Sequence, residues 1–538
     1  MRKRLGSERT WVLFFAIFLA LVTAFPYLVA ASQSGAEFTG FLIGVEDGNS
    51  YIAKMLAGAQ GDWLFRSPYS AMEQGGALIY LPYVLLGRLL GPGVQHATLV
   101  LIFHIFRVFS VIIICFAVYD FVAFFIRDLK LRRLGLALVT LGSGLGWALL
   151  FVGISSLAGS IPLDFYSPET FGFLAIFSLP HLVLARAFLL WGLLAYLRAG
   201  DRAELPSGEI AHGSVWWTSF LWLAMALSHL ITAALGLALI AAHFAYLLVR
   251  NHFQNSKKNQ IRADFKSLVW AATGVAPILA YNAWAYWQDP YLQMWAARNQ
   301  IRSPNPVHYV LAYGFLLPFA YFGLRSLLRK KWMQGSFLLT WLVLLPFLLY
   351  APIGLQRRLA EGAWVMLVVL TLFPFEGKGA RDPRALWLFS LAFPSTLILF
   401  IGGLQMARDV DPPVFLPAGE AMAFEELRRV ASKGEIVLSS YETGNALPAW
   451  APLRVIAGHG PESVDLERLL LKIQALYQTS TTDVARLRFL RDYGITYVFW
   501  GPNEQRLGSW LPADEDYLEL VVDLGEYEVY RVSDDAFE

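Results

Sequence analysis

The chain has 538 residues, of which 57% are hydrophobic and only 16% are charged, and its mean hydropathy is +0.49. A soluble domain of this length needs more polar surface than this composition provides, so we expect an integral membrane protein. The net charge of +2 gives no indication of nucleic-acid binding, and the single cysteine, Cys115, excludes an intramolecular disulfide and a multi-thiolate metal site.

Apolar runs of membrane-spanning length follow one another over the first 404 residues. The run 11–31 is longer than the apolar core of a signal peptide, which favours a retained anchor over a cleaved signal. The block 213–249 is too long for one crossing, so we divide it at His229 into a hairpin of two short helices. The sequence therefore predicts eleven spans, and the ten after the first are 98–126, 134–156, 172–198, 213–228, 231–249, 267–287, 307–328, 333–351, 359–375 and 385–404.

Basic residues are distributed unevenly between the two sets of loops. With the N-terminus inside, the inner loops contain about three times as many lysines and arginines as the outer loops, as expected for cytoplasmic loops. This pattern predicts a plasma (inner) membrane protein with a cytoplasmic N-terminus and, because the span count is odd, a C-terminus outside. The apolar stretch 77–91 is interpreted as an interfacial or re-entrant helix of the first outer loop, 32–97, because a span there would invert all later segments.

The composition changes after about residue 405, where a polar segment with two consecutive prolines leaves the last span. Helical spacing is present at 421–432, 466–476 and 482–493, short buried strands are predicted at 435–440 and 497–500, and 518–532 alternates like a hairpin around Gly525. We therefore expect a mainly α, polytopic membrane domain, 1–404, followed by an extracytoplasmic soluble α/β domain, 405–538.

Two adjacent carboxylates, Glu46 and Asp47, lie just beyond the first apolar run. An ionisable group at membrane depth is costly and is therefore a candidate for function. Arginine binds phosphate oxygens in a bidentate manner, and a carboxylate can accept the proton of an attacking hydroxyl. Further candidates for substrate binding on the predicted outer face are Tyr51, Arg66, His181, His229, Arg298, Arg302, Arg357, Arg358 and Glu361. The pattern indicates group transfer on a lipid phosphate.

Each candidate also has a structural interpretation. Asp47 is equally compatible with capping a helix that begins near Asn49. The two adjacent arginines at 357–358 are compatible with a membrane-surface anchor, and histidines at helix ends are more often structural than acid/base groups. The clusters 441–445 and 458–460 are compatible with acceptor contacts, but turn chemistry is the simpler account. No metal-ligand spacing of a known type is present, so no cofactor is predicted and a divalent metal stays an open question.

Three segments carry a family resemblance. The acidic pair at 46–47 with Tyr51 opens the first outer loop, the stretch 61–87 continues it, and 352–362 contains Gln356-Arg357-Arg358 followed by Glu361. Together they resemble the GT-C superfamily of integral-membrane glycosyltransferases over residues 1–404. The WWD-type motif of oligosaccharyltransferases is absent from the C-terminal sequence, which favours a monosaccharide transferase.

The resemblance implies an inverting transferase that moves a hexose or pentose from a polyprenyl-phosphate donor to a glycan, lipid or protein hydroxyl at the outer face. It implies Asp47 as the general base, helped or replaced by Glu46, and phosphate binding by Arg357 and Arg358. Arg298, Arg302 or His229 would complete the phosphate pocket. The alternatives are a transporter or flippase for a polar lipid, which would use the same arginines, and a catalytically inert envelope protein of the same fold.

Overall fold

The computed structural model describes residues 2–202, 212–254, 258–376, 382–533 and 535. Lys257, Lys378 and Arg381, which contribute to the predicted inner-loop charge, lie outside the described residues. The chain divides into two compact units. The first unit comprises Met1–Pro26, Phe106–Tyr281 and Gln300–Gly402, and the second comprises Tyr27–Ile105, Asn282–Asn299 and Gly403–Glu538. The second unit thus combines most of the first predicted outer loop with the C-terminal segment.

The part of the chain up to residue 406 is built almost entirely from helices, as its composition predicts. The helices are Arg2–Ala31, Val45–Ala59, Leu81–Arg88, His96–Phe125, Leu129–Leu141, Gly146–Phe151, Gly172–Ser178, Pro180–Arg202, His212–Ser228, Leu230–Gln254, Lys258–Gln288, Pro290–Arg298, Val307–Tyr313, Leu317–Lys330, Trp332–Leu349, Ala363–Leu372, Pro383–Ala392 and Pro394–Met406. A large apolar core lies among the described residues of the first unit, with Trp222 and Trp341 among its fully buried side chains.

Eight of the described helical segments are long and apolar enough to cross a membrane. They are Gly6–Ala31, His96–Phe125, Pro180–Ala199, Leu230–Arg250, Phe265–Gln288, Trp332–Leu349, Gln356–Phe375 and Pro383–Met406. A ninth candidate is the pair Val307–Tyr313 and Leu317–Lys330, which is bent by 68°. The prediction of an integral membrane protein is confirmed, but its eleven spans are too many for the described residues.

Two predicted spans account for the difference. At 134–156 the chain forms two short helices, and the Ser143 amide and hydroxyl at the break both donate to the Ala392 carbonyl at 2.7 Å. A Cβ on Gly144 would approach Cα of Ala312 to 2.7 Å, so the break is packed closely against another segment. At 213–228 the helix has 17 residues, short of the ~20 that a span needs. The hairpin does break at His229 as predicted. The orientation inferred from an odd count stays a prediction.

The C-terminal segment forms the expected α/β fold around a five-stranded sheet. The strands, in sheet order, are Arg454–Val455, Ile436–Leu438, Ile495–Trp500, Glu528–Val532 and Leu518–Asp523. The first three are parallel and the last two complete an antiparallel edge. The helices are Ala418–Val430, Tyr441–Trp450, Leu466–Leu476, Asp483–Tyr493 and Pro502–Gln505. The segment 441–445, predicted as a turn, is instead the start of a helix that Ser440 caps through the Thr443 amide.

The first predicted outer loop folds with this segment inside the second unit. Its strand Ala36–Phe38 pairs antiparallel with Phe415–Pro417. Its two helices touch backbone to backbone, because a Cβ at Gly58 would lie 2.0 Å from the Val84 carbonyl oxygen. The stretch 77–91 contains the eight-residue helix Leu81–Arg88, and its interfacial position stays a prediction.

Candidate active site

The two carboxylates singled out in the sequence lie in the first turn of the helix Val45–Ala59. Gly44 precedes this helix in the left-handed conformation, with φ of 64°, and no side chain caps it. Asp47 therefore does not cap a helix at Asn49, and that alternative is wrong. The partial positive charge of a helix N-terminus favours negatively charged side chains in its first turn.

Glu46 is tied to the C-terminal segment by two donors. Its Oε1 accepts a hydrogen bond from the Tyr441 hydroxyl and one from the Gly460 amide at 2.6 Å. Burial, reinforced by the adjacent Glu46 carboxylate, raises the pKa of Tyr441 above its ordinary value, so the phenol remains a donor. Glu46 is therefore held as an acceptor within the protein.

Asp47 lies in a different environment. Its side chain is 57% exposed, and its Oδ1 is 3.2 Å from Nε2 of His459, whose side chain is only 5% exposed. The Ser463 hydroxyl accepts the backbone N–H groups of Gly458 and His459 at 3.1 and 3.2 Å and so fixes the turn that carries this histidine. One carboxylate is thus enclosed, and the other is open to solvent and contacts a buried imidazole.

Behind His459 lies a buried ion pair. Glu462 accepts from the Lys54 ammonium at 2.7 Å, from the Ser50 hydroxyl at 2.8 Å and from the Ser67 hydroxyl at 2.7 Å. Burial alone would raise the pKa of Glu462, but the nearby Lys54 ammonium, with a smaller electrostatic contribution from His459, brings that pKa below its ordinary value. Sequence reasoning missed this pair, because Lys54 stood out only as one of the few outer-loop cations.

An amide network connects the helix of the first loop to the two C-terminal clusters. The Asn49 amide donates to the side-chain oxygen of Asn445 at 2.8 Å, and the Asn445 amide donates to the carbonyl of Gly458 at 2.7 Å. Both clusters noted in the sequence, 441–445 and 458–460, therefore lie beside Glu46 and Asp47. The signal was present in each cluster, but nothing in a single sequence indicated their proximity.

Three other predicted residues of the second unit have structural contacts. Tyr51 is buried and stacks on Tyr83 with ring centroids 4.7 Å apart. Arg66 donates to two backbone carbonyls, at 3.1 and 3.3 Å, and lines a cavity of about 430 Å³. Arg298 pairs with Asp465. A role of these residues in substrate binding stays a prediction.

In the first unit, Arg358 is the centre of a second polar cluster. Its guanidinium donates to Nε2 of His229 at 2.8 Å and lies 3.7 Å from the carboxylate of Glu169. The rings of His229 and His181 are 6.0 Å apart. Three of the predicted residues are therefore adjacent, and Glu169 was missed because it lies in a loop that the sequence assigned no role.

The remaining predicted residues of the first unit are Glu361, Arg357 and Arg302, and each has its own contacts. Glu361 is almost fully buried and pairs with Arg186, which also donates to two backbone carbonyls at 3.1 and 2.7 Å. The guanidinium of Arg357 lies 4.7 Å from the ring centroid of Tyr166. Arg302 donates weakly to the side chain of Gln300. Among the described residues, Arg357 and Arg302 thus have cation–π or weak polar contacts rather than buried ion pairs.

Within the described ranges, no three His, Cys, Asp or Glu side chains converge in a group that could hold a metal ion.

The sequence matches no protein-family model and no curated protein. The fold, in contrast, resembles solved structures. The apo oligosaccharyltransferase of Archaeoglobus fulgidus matches with a TM-score of 0.54 and 12% identity over 91% of this chain and 69% of that chain. The archaeal oligosaccharyltransferase AglB from the same organism, in complex with an inhibitory peptide and a dolichol-phosphate, matches with a TM-score of 0.53 and 13% identity over 97% and 74%.

A third structure, apo ArnT from Cupriavidus metallidurans, has a TM-score of 0.48 and 12% identity over 97% of this chain and 99% of that chain. The two archaeal matches show that the chain shares the fold of these oligosaccharyltransferases, in agreement with the GT-C-like fold that the motifs predicted.

Proposed function

We propose that this protein is a glycosyltransferase that moves a sugar from a polyprenyl-phosphate donor to an acceptor hydroxyl, with inversion at the anomeric carbon. The observation that carries the proposal is the exposed Asp47 carboxylate, 3.2 Å from His459 in the first turn of its helix. The fold supports the reaction class, and the dolichol-phosphate complex of the structural neighbour supports the donor class.

Asp47 is the better candidate for the base. Glu46 already accepts from Tyr441 and from the Gly460 amide, whereas Asp47 is more than half exposed and can reach an acceptor. Asp47 takes the hydroxyl proton as the acceptor oxygen bonds to the anomeric carbon. The bond from that carbon to the donor phosphate oxygen breaks, and its electron pair leaves with the polyprenyl phosphate.

We assign the binding of the lipid phosphate to Arg357 and Arg358, because guanidinium groups stabilise the charge that develops on a leaving phosphate. His181, His229, Arg302 and Glu361 would shape that phosphate site. Arg66, Arg298 and Tyr51 are proposed for binding other parts of the substrates. The reaction is assigned to the outer face of the inner membrane, with the N-terminus cytoplasmic, on the basis of the loop charges. The missing WWD motif supports transfer of a single sugar.

The test is a transfer assay with the purified protein in lipid nanodiscs, using a panel of polyprenyl-phosphate sugars and candidate acceptors. We expect Asp47→Asn to lower kcat by about 10²–10⁴-fold, the usual contribution of a general base, and Glu46→Gln to have a smaller effect. Asp492→Asn, at an exposed helical position, serves as the matched control.

Undiminished transfer in both Asp47→Asn and Glu46→Gln would sink the assignment of the base. If the wild-type protein instead moved the lipid across proteoliposomes without forming a new glycosidic bond, it would be a flippase. If it did neither, the inert-protein alternative would hold.

A further inference from the structure

We infer that His459 is a positioning residue for Asp47, and that the buried Glu462–Lys54 pair holds its imidazole in place. This inference rests on the proposed function, and it deepens it. It makes the C-terminal segment part of the catalytic machinery rather than only a module for binding an acceptor.

The exposure of Asp47 affects how well its carboxylate is oriented. A short carboxylate side chain in the first turn of a helix, more than half exposed, has several accessible rotamers. The contact from Oδ1 to Nε2 of His459 restricts that rotation and directs one oxygen towards the protein. The exposed carboxylate therefore faces an incoming hydroxyl in a restricted orientation.

The imidazole of His459 is held in one orientation by its surroundings. Nδ1 of His459 is buried without a hydrogen-bond partner and lies 3.7 Å from Oε1 of Glu462. The Tyr69 ring lies beside it, with centroids 5.4 Å apart, and the Ser463 hydroxyl holds the backbone turn. One ring nitrogen thus contacts Asp47 and the other faces the Glu462 carboxylate, while Tyr69 packs beside the ring.

Glu462 is itself fixed by a buried ion pair. Its carboxylate is held by Lys54, Ser50 and Ser67, and it is almost completely buried. A buried ion pair is expensive to desolvate, and an apolar core of equal volume is often as stable. Here the Glu462–Lys54 pair faces His459, and His459 contacts Asp47. Of these four side chains, Asp47 is the exposed one. A role in orienting that carboxylate gives the buried charges a use that packing alone does not.

The test compares His459→Gln with His459→Phe in the nanodisc transfer assay. The glutamine amide nitrogen can occupy the place of Nε2 and donate to Asp47, whereas phenylalanine fills the volume without a donor. We expect His459→Phe to lower kcat by about 10–100-fold with the donor KM unchanged, because small misplacements of a reacting group cost about this much. We expect the kcat of His459→Gln to stay within about 3-fold of the wild-type value, because the glutamine amide keeps the donor to Asp47. Asp492→Asn is again the control.

Two results would overturn the inference. Full kcat in His459→Phe would show that Asp47 needs no such support. An equal loss in His459→Gln and His459→Phe, with both variants folded, would mean that the imidazole carries a proton itself rather than positioning the carboxylate.

A second readout does not depend on activity. In a double-mutant cycle, Asp47→Asn and His459→Phe should shift the thermal unfolding temperature non-additively, because contacting residues couple whereas distant ones do not. Additive shifts would overturn the contact. A wild-type protein that transfers no sugar, but retains this coupling, would refute the proposed function and leave the Asp47–His459 contact supported.

Discussion

Replacing Lys54 by methionine tests whether the buried ion pair is as important for the second unit as its geometry indicates. The two side chains are 1% and 2% exposed, and their charged atoms are 2.7 Å apart. At an effective dielectric of about 20, their attraction amounts to about 6 kcal/mol. Since both charges also lose hydration, the expected cost of removing one partner is about 3–5 kcal/mol. For a unit of this size, that corresponds to a decrease in Tm of roughly 10 °C.

The Tm of the wild-type protein and that of Lys54→Met should change with pH in opposite directions. In the wild-type protein the pKa of Glu462 is lowered on folding, so the stability it contributes is present above its unfolded pKa and is lost as pH falls through the folded value. In Lys54→Met, burial is no longer opposed by the ammonium and raises the pKa of Glu462. As the pH falls, the Glu462 carboxylate is protonated, and the free-energy cost of burying an unpaired charge is removed. From pH 7 to pH 4 the wild-type Tm should fall and the variant's Tm should rise.

The assay is thermal unfolding followed by intrinsic fluorescence in detergent between pH 4 and pH 8. Lys472→Met, at an exposed position of the helix Leu466–Leu476, is the matched control and should change Tm little. The double variant Lys54→Met/Glu462→Gln should recover at least half of the loss, because no charge is then left unpaired. The expectation is refuted if the free energy of unfolding of Lys54→Met is within about 1 kcal/mol of that of the wild type and its Tm has the same pH dependence.

Two further predictions concern other groups. Arg357→Gln should raise the donor KM by about 10-fold while leaving folding intact, because the Arg357 guanidinium lies over Tyr166 and forms no buried ion pair with the described residues. Arg384→Gln, at an exposed position, is the control. An unchanged donor KM in Arg357→Gln would remove Arg357 from the phosphate site. Burial and the nearby Glu504 raise the pKa of Glu420 to about 7, so its favourable contribution to folding is present below its unfolded pKa and is lost as pH rises towards 7. Glu420→Gln should therefore reduce the loss of folding free energy between about pH 5 and 7, by at most about 3 kcal/mol. An unaltered pH profile of Tm would contradict this.

Local patterns in the sequence predicted the elements of the C-terminal segment well. The helix Leu466–Leu476 has the predicted bounds, and the alternating stretch around Gly525 forms the hairpin Leu518–Asp523 and Glu528–Val532. Such signals depend only on neighbouring residues. The helix Tyr441–Trp450 was missed because Gly444 favours a turn, yet a Cβ there would lie 2.2 Å from the Ala457 carbonyl oxygen, so close packing requires glycine in this helix.

The span count was wrong for a related reason. Hydropathy averaged over a window stays high across 142–145, whereas the backbone breaks there and bonds to Ala392. The site was predictable only in part. Glu46 and Asp47 were identified from their position and their resemblance, but His459 is 412 residues from Asp47 and Glu462 is 408 residues from Lys54. One sequence contains no signal for pairings at that separation.

The assembly of the second unit from distant segments has a consequence for biosynthesis. The helix Val45–Ala59 is synthesised early, but the carboxylate that neutralises Lys54 and the strand that pairs with Ala36–Phe38 follow only after all the apolar helices. Until then the first loop carries an uncompensated ammonium and an unpaired strand edge. The second unit therefore completes its fold only after residue 462 has been synthesised, late in translation.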